Sequence, residues 1–206
     1  MGLREEKKEA TRRAIVDECL TMFRERGFDD TRVHDITERL RISEGTFFNY
    51  FPTKQSVLEE VGGALIDEAI ESLQAQATPG LTVPERLLAS SQTFAASFAD
   101  DRQFAALLAA HTTFFSAART DRLERVHSLL AGLFAEGQAA GDIRDDIAAT
   151  QLATAFLAVT TTMVQGWVAE EGGESLQQRL VDASSVIVNG CATTRPAVAT
   201  AVSSTE

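Results

Sequence analysis

Apolar residues recur along this chain at intervals of three and four, and nowhere do Val, Ile and Thr alternate with polar residues over the length of a strand. That periodicity admits one class of fold, all-α. A first stripe, Ile15, Cys19, Met22 and Phe23, belongs to a helix that stops at Arg26-Gly27, where Gly27 can take the left-handed cap conformation. A second helix is expected after Thr31, a good N-cap, with Val33, Ile36 and Leu40 inward and a stop at Arg41-Ile42. Ser43 then caps a very short third helix, Glu44 to Tyr50, ended by Phe51-Pro52 because a residue before proline avoids helical geometry. Thr53 caps a long fourth helix reaching Gln76, with Val57, Leu58, Val61, Leu65, Ile66, Ala69 and Leu73 inward. Residues 78–83 with Pro84 read as a loop, and the pattern beyond predicts helices over 85–99, 102–117, 120–140, 147–170 and 174–191. The tail 192–206 has small and polar residues without periodicity and is expected to be disordered.

Length and charge divide this helical chain. Its 206 residues suffice for a small module continuous with a larger body, drawn here as 1–54, 55–191 and the tail 192–206. The formal net charge is −11, yet residues 1–54 hold 11 basic and 11 acidic side chains, so the whole excess lies behind Lys54. A neutral N-terminal module on an acidic body suits a protein that meets an anion at one end and repels it elsewhere. No membrane partner is expected, because the most apolar stretch, 153–168, is broken by four threonines, Gln165 and Gly166. The charged N-terminus lacks an apolar secretion segment, and the expected location is cytoplasmic. Cys19 and Cys191 stand far apart without a C-x-x-C partner; Cys19 reads as a core residue and Cys191 as an idle thiol. No cofactor or metal is expected.

Two short helices joined by Arg41-Ile42-Ser43, the second about two turns long, are the build of a helix-turn-helix whose second helix enters the major groove. Val33, Ile36, Leu40, Ile42, Phe47 and Phe51 can form the small core that fixes the crossing angle, while Arg32, His34, Glu44, Thr46, Asn49 and Tyr50 stay outside. Gly45 permits close approach to a duplex. The helix ends at Ser43 and Thr53 present positive polarity to phosphates, and Lys54 adds a charge there.

With Gly27-Phe28 followed by Thr31-Arg32-Val33-His34-Asp35-Ile36 and then Gly45-Thr46-Phe47-Phe48-Asn49-Tyr50-Phe51-Pro52-Thr53-Lys54, residues 10–58 resemble the N-terminal signature of the TetR family of bacterial repressors. The resemblance implies a homodimer, a palindromic double-stranded DNA operator and a C-terminal domain in which a small-molecule effector alters DNA affinity. Carried over by position, Glu44, Gly45 and Thr46 would meet base edges, Phe48 and Asn49 would lie along the groove, Tyr50 and Lys54 would touch phosphates, and Thr31, Arg32 and His34 would approach from the second helix. Three positions depart from the family pattern: Phe48 where Tyr is common, Glu44 where a basic or neutral residue is frequent, and Thr37 where Ala is frequent. Glu44 could accept from a cytosine amino group or could repel the backbone.

The body offers Phe94, Phe98, Phe104, Phe114, Phe115, Phe134, Phe156, Met163 and Trp167, most of them necessarily core. Candidate pocket residues are Phe94, Phe98, His111, Phe115, Phe134, Met163 and Trp167, with Thr112, Thr160, Thr161 and Gln165 as polar anchors, and the effector expected is apolar or aromatic. Two further stripes, Leu152, Phe156, Val159, Met163 and Trp167 on one helix and Leu176, Leu180, Ala183, Ile187 and Gly190 on the next, suggest a four-helix dimer interface; they could equally face their own core. Two other readings stand. Glu124-x-x-His127 has the spacing of di-iron helical enzymes but occurs once, so a metalloenzyme is a distant alternative and the chain reads as no enzyme. A dimeric helical interaction module, its DNA surface spoiled by Glu44 and Phe48, is the second.

Overall fold

The computed structural model describes residues 2–75, 80–98, 101–112, 121–170 and 172–192. Nine α-helices follow one another in these residues, and no strand occurs among them: α1 Leu3–Arg26, α2 Val33–Leu40, α3 Glu44–Tyr50, α4 Lys54–Ala75, α5 Val83–Ala96, α6 Arg102–His111, α7 Asp121–Ala140, α8 Ala149–Ala169 and α9 Leu176–Cys191. The fold is all-α, as the periodicity requires. The tail from residue 193 lies outside the described residues, as do Phe114, Phe115 and the expected end of α6.

Local chemistry sets the boundaries. α1 ends where Gly27 takes φ 87°, ψ 160°, a region that glycine reaches and L side chains avoid, in place of the left-handed helical cap. Thr31 does not cap α2; that position is Arg32, which makes no side-chain cap bond. The Thr31 side chain is instead buried, its hydroxyl donating to the Gly27 carbonyl at 2.7 Å. Thr53 does cap α4, its Oγ1 accepting from the Ser56 amide at 3.1 Å while Ser56 Oγ accepts from the Thr53 amide at 3.2 Å. α5 starts two residues earlier than the prolines suggest. Thr82 and Glu85 form a capping box around it, with Pro84 in the first turn where its missing N–H costs nothing. The Thr82 amide and hydroxyl donate to the Glu85 carboxylate at 2.7 and 2.8 Å and hold it below the usual carboxylate range.

Two apolar clusters hold the helices together. The first runs from Ile15, Phe23, Ile36, Phe47 and Phe51 through Val57 and Leu58 to Phe98, Phe104, Leu108 and Trp167, continuing across residue 54 from the N-terminal helices into the body. The second joins Ile66, Leu87, Leu130, Phe134, Leu152, Phe156 and Val188. α4 contributes to both. Each fully buried Phe or Leu removes enough apolar surface from water to contribute about 1.5–3 kcal/mol, so α4 is anchored at both ends.

Candidate functional site

The geometry of the N-terminal unit is set at the turn between α2 and α3. Arg41 sits at φ 53°, ψ 42°, the left-handed helical conformation, and its amide and that of Ile42 return to the carbonyls of Glu38 and Thr37. Ser43 then accepts from the Thr46 amide at 3.0 Å, fixing the first turn of α3. Phe47 is fully buried and Phe51 nearly so, and Phe47 packs at right angles on Phe48. The opposite face of α3 carries Glu44, Gly45, Phe48 and Asn49, all exposed, with the Phe48 ring 48% open to water. Thr46 is half-buried, with Oγ1 2.8 Å from Ser43 Oγ. Arg32, at the N-cap of α2, and His34, in its first turn, are exposed, and His34 Nδ1 lies 3.2 Å from Glu44 Oε1.

Two residues expected at DNA are elsewhere. Thr31 is 1% exposed and serves the loop beneath α1. Lys54 turns inward: its Nζ donates to the carbonyls of Phe28, Asp29 and Thr31 and lies 4.2 Å over the Phe28 ring. An ammonium has three donors, and all are used on the chain itself. Tyr50 is half-buried and packs against the first cluster.

The neutral charge of this unit has a structural explanation. Arg12 pairs with Glu60, Arg24 with Asp101, Arg26 with Asp35, and Arg39 with both Glu18 and Glu25; Glu60 holds the Arg12 guanidinium above its usual pKa. These four arginines are thus held by the chain's own acids. Arg32 and Arg41 are exposed and belong to no ion pair among the described residues, which leaves their charges for an outside anion. Sequence reasoning passes over Arg41; a basic residue at the turn between the two helices is the available signal.

Within the body a cavity of about 100 Å³ lies between α4, α5, α7 and α8. Ile66, Ala69, Leu73, Phe94, Leu123, Val126, Leu130, Phe156, Leu157 and Val164 form its apolar walls, and Ser90, Ser91, Thr160 and Thr161 bring hydroxyls. Ser91 is buried and bonded to Ser184 across α9 at 2.7 Å. Of the expected pocket residues that are described, only Phe94 lines this cavity, with the anchors Thr160 and Thr161. Phe98, Phe134 and Trp167 are close-packed core, and Arg102 covers the Trp167 ring at 4.9 Å. Met163 packs on the first cluster. His111 stacks on Phe28 of the N-terminal unit with ring centroids 4.0 Å apart. Phe115 lies outside the described residues. The missed lining residues are mainly small or branched, and the cavity exists because Ala69, Ser90 and Ser91 leave space where bulkier chains would meet.

The α8 and α9 stripes also need correction. Leu152, Phe156, Trp167, Leu176 and Leu180 are all buried within their own chain. Outward, α8 presents Gln151, Ala155, Ala158, Thr162, Gln165 and Ala169 in one exposed row, and α9 presents Asp182, Val186, Asn189 and Gly190. α8 is long and apolar enough to cross a membrane by length and composition alone, and 28% of its most apolar window is buried. His127 Nε2 lies 3.0 Å from Thr154 Oγ1, and no group of three metal-ligating side chains occurs among the described residues.

Residues 15–61, the unit just described, match the pattern of the bacterial regulatory proteins of the tetR family. The transcriptional repressor KstR2 of Rhodococcus jostii is 24% identical over 196 residues, spanning 90% of this chain and 93% of that protein. The fold is shared with FadR of Thermus thermophilus, a TetR-family repressor solved with lauroyl-CoA, at TM-score 0.66 and 22% identity over 90% of this chain and 97% of that one. It is shared equally with FadR of Bacillus subtilis, solved with stearoyl-CoA, at TM-score 0.67 and 18% identity over 86% and 97%. The helix-turn-helix of residues 15–61 thus fits the pattern of the tetR-family regulators, and the helical body behind it is similar in fold, nearly end to end, to regulators of that family.

Proposed function

We propose that this regulator is a homodimeric repressor, released from a palindromic operator when an apolar small molecule enters the cavity between α4, α5, α7 and α8. The observation that carries the reading is the size and position of that cavity. At about 100 Å³ it is far smaller than a site for a drug-sized ligand, about 300–1,000 Å³. An effector of lipid size therefore enters only by moving the helices apart, and it binds the widened state in preference to the closed one. α4 is one wall of the cavity and begins next to the recognition helix.

α6 is a second link between body and DNA unit. Near its start Asp101 pairs with Arg24 at 2.9 Å and Gln103 donates to the Arg24 carbonyl at 3.0 Å; at its end His111 stacks on Phe28. Any shift of the body against α1 is felt at both points. The apolar walls with a few hydroxyls favour a ligand with a long apolar part and a hydrogen-bonding group, the class to which the acyl thioesters bound by the two FadR proteins belong. Dimerisation rests on the outward rows of α8 and α9, whose small side chains allow two helix pairs to approach closely across a two-fold axis.

Selection of genomic fragments by the purified protein would supply an operator, and fluorescence anisotropy would follow its release by acyl-CoAs of graded chain length. Ala69→Phe fills the cavity from α4. That variant should hold the operator as tightly as the parent and resist release. Release of the variant at the parent's ligand concentration would place the effector elsewhere.

A further inference from the structure

The exposed pair of His34 and Glu44 has no structural task that accounts for it. Their side chains are 71% and 52% exposed, and a polar contact so open to water contributes little to folding. A carboxylate beside a surface that meets phosphate also weakens general attraction to DNA. Its geometry is nevertheless constrained on both sides. Ser43 fixes the backbone of Glu44 through the Thr46 amide at 3.0 Å, and His34 takes one carboxylate oxygen, Oε1, at 3.2 Å. Because a carboxylate only accepts, Nδ1 is the donor in this pair, and Oε2 is left for an outside partner.

Base edges in the major groove offer two such donors, the N4 amino group of cytosine and the N6 amino group of adenine. Adenine sets its N7 lone pair beside N6, which repels a carboxylate; cytosine has a C–H there. We infer that Glu44 reads a cytosine in each operator half-site, with His34 as the positioning residue that aims the carboxylate. The inference rests on the proposed DNA reading of α3 and adds the base that this position selects.

Selection from a randomised palindrome with the full-length protein and its variants tests it. The parent should enrich cytosine at one symmetric pair of positions, by about fivefold or more per half-site. Glu44→Gln presents a donor and an acceptor together, the set that suits adenine, and should move the preference at that pair from cytosine to adenine. Glu44→Ala should erase it while the other positions stay as they were. His34→Ala should weaken the cytosine preference, and His34→Asn, whose amide can replace the Nδ1 donor, should restore it. If Glu44→Gln enriches the same bases as the parent at every position, Glu44 reads nothing and the inference falls alone. If the parent enriches no sequence at all, the inference falls together with the repressor reading.

Discussion

Lys54→Met removes an ammonium while keeping most of its stem, and it separates two roles that the sequence alone does not distinguish. In the structure the ammonium serves the carbonyls of Phe28 and Thr31, both part-buried, that of Asp29 at the surface, and the Phe28 ring. Hydrogen bonds to a charged donor are worth about 1.5–3 kcal/mol each, and the low end applies here because water reaches the site. A cation over a ring adds about 0.5 kcal/mol at such a place. Two part-buried carbonyls and the ring together set the expected loss at about 3.5 kcal/mol, read from the midpoint of urea unfolding. The same variant should leave the salt dependence of operator binding unchanged. A cation that neutralised one phosphate in each subunit of a dimer would, on removal, flatten the slope of log K against log salt by about 1.8, since each phosphate neutralised contributes about 0.9. Arg32→Ala and Arg41→Ala should each produce that flattening, with little change in stability for Arg32→Ala. The reasoning is refuted if Lys54→Met flattens the slope by nearly two while its stability stays within about 0.5 kcal/mol of the parent, a change typical of an unengaged surface side chain.

Four other outcomes follow from local structure. A Cβ on Gly137 would stand 2.6 Å from Ile143 Cγ1 and 3.0 Å from Val83 Cβ, both core, so Gly137→Ala should cost about 1–2 kcal/mol by thermal unfolding despite the better helix former. On Gly63 the Cβ meets only the guanidinium of Arg122, a movable tip, and Gly63→Ala should stay within about 1 kcal/mol of the parent. Arg41→Gly relieves a left-handed residue and should raise stability by about 0.5 kcal/mol, after the extra freedom of glycine in the unfolded chain is offset, while weakening the operator complex. Burial pushes the Cys19 thiol up to about 12, with Glu18 adding to the shift. An unfolded cysteine ionises near pH 8.5, so the stabilising effect of the buried neutral thiol is complete below that pH and is lost as pH rises from there toward 12. Native protein should resist iodoacetamide at Cys19 at pH 8, and the urea midpoint should fall through that alkaline window in the parent more than in Cys19→Ala.

What is legible in the sequence is whatever local chemistry decides. α3 runs from Glu44 to Tyr50 as expected, because a Ser cap and a proline stop act within a few residues. Reading Pro84 as loop punctuation starts α5 too late, although Thr82 and Glu85 at capping-box spacing surround it. Lys54 and Thr31 are misplaced by sequence for one shared reason. Both answer carbonyls of the loop between α1 and α2, and periodicity is silent on where a loop turns its carbonyls. The cavity is hidden for another reason: large aromatics such as Phe98, Phe134 and Trp167 fill space, whereas the cavity forms where small side chains from separate helices happen to face one another. The stripes of α8 and α9 identify a face but not its direction, so a row of large residues that is in fact buried suggests an outer one.

If an effector that widens the cavity moves α4, it should also change the spacing of the two recognition helices of the proposed dimer, and a distance between subunits tests this most directly. Glu38 is exposed on α2 and outside the proposed DNA contacts, so Glu38→Cys with a spin label reports the separation of the two DNA units, Cys19 and Cys191 being buried. On the operator, whose half-sites hold recognition helices about 34 Å apart, the labels should give one narrow distance distribution by pulsed dipolar spectroscopy. Addition of the releasing acyl-CoA should shift that distribution by several ångströms, on the order needed to lose groove register, and Ala69→Phe should abolish the shift. An effector that frees the DNA while the distance stays fixed, or a protein that gives no dipolar signal at micromolar concentration, would contradict the account.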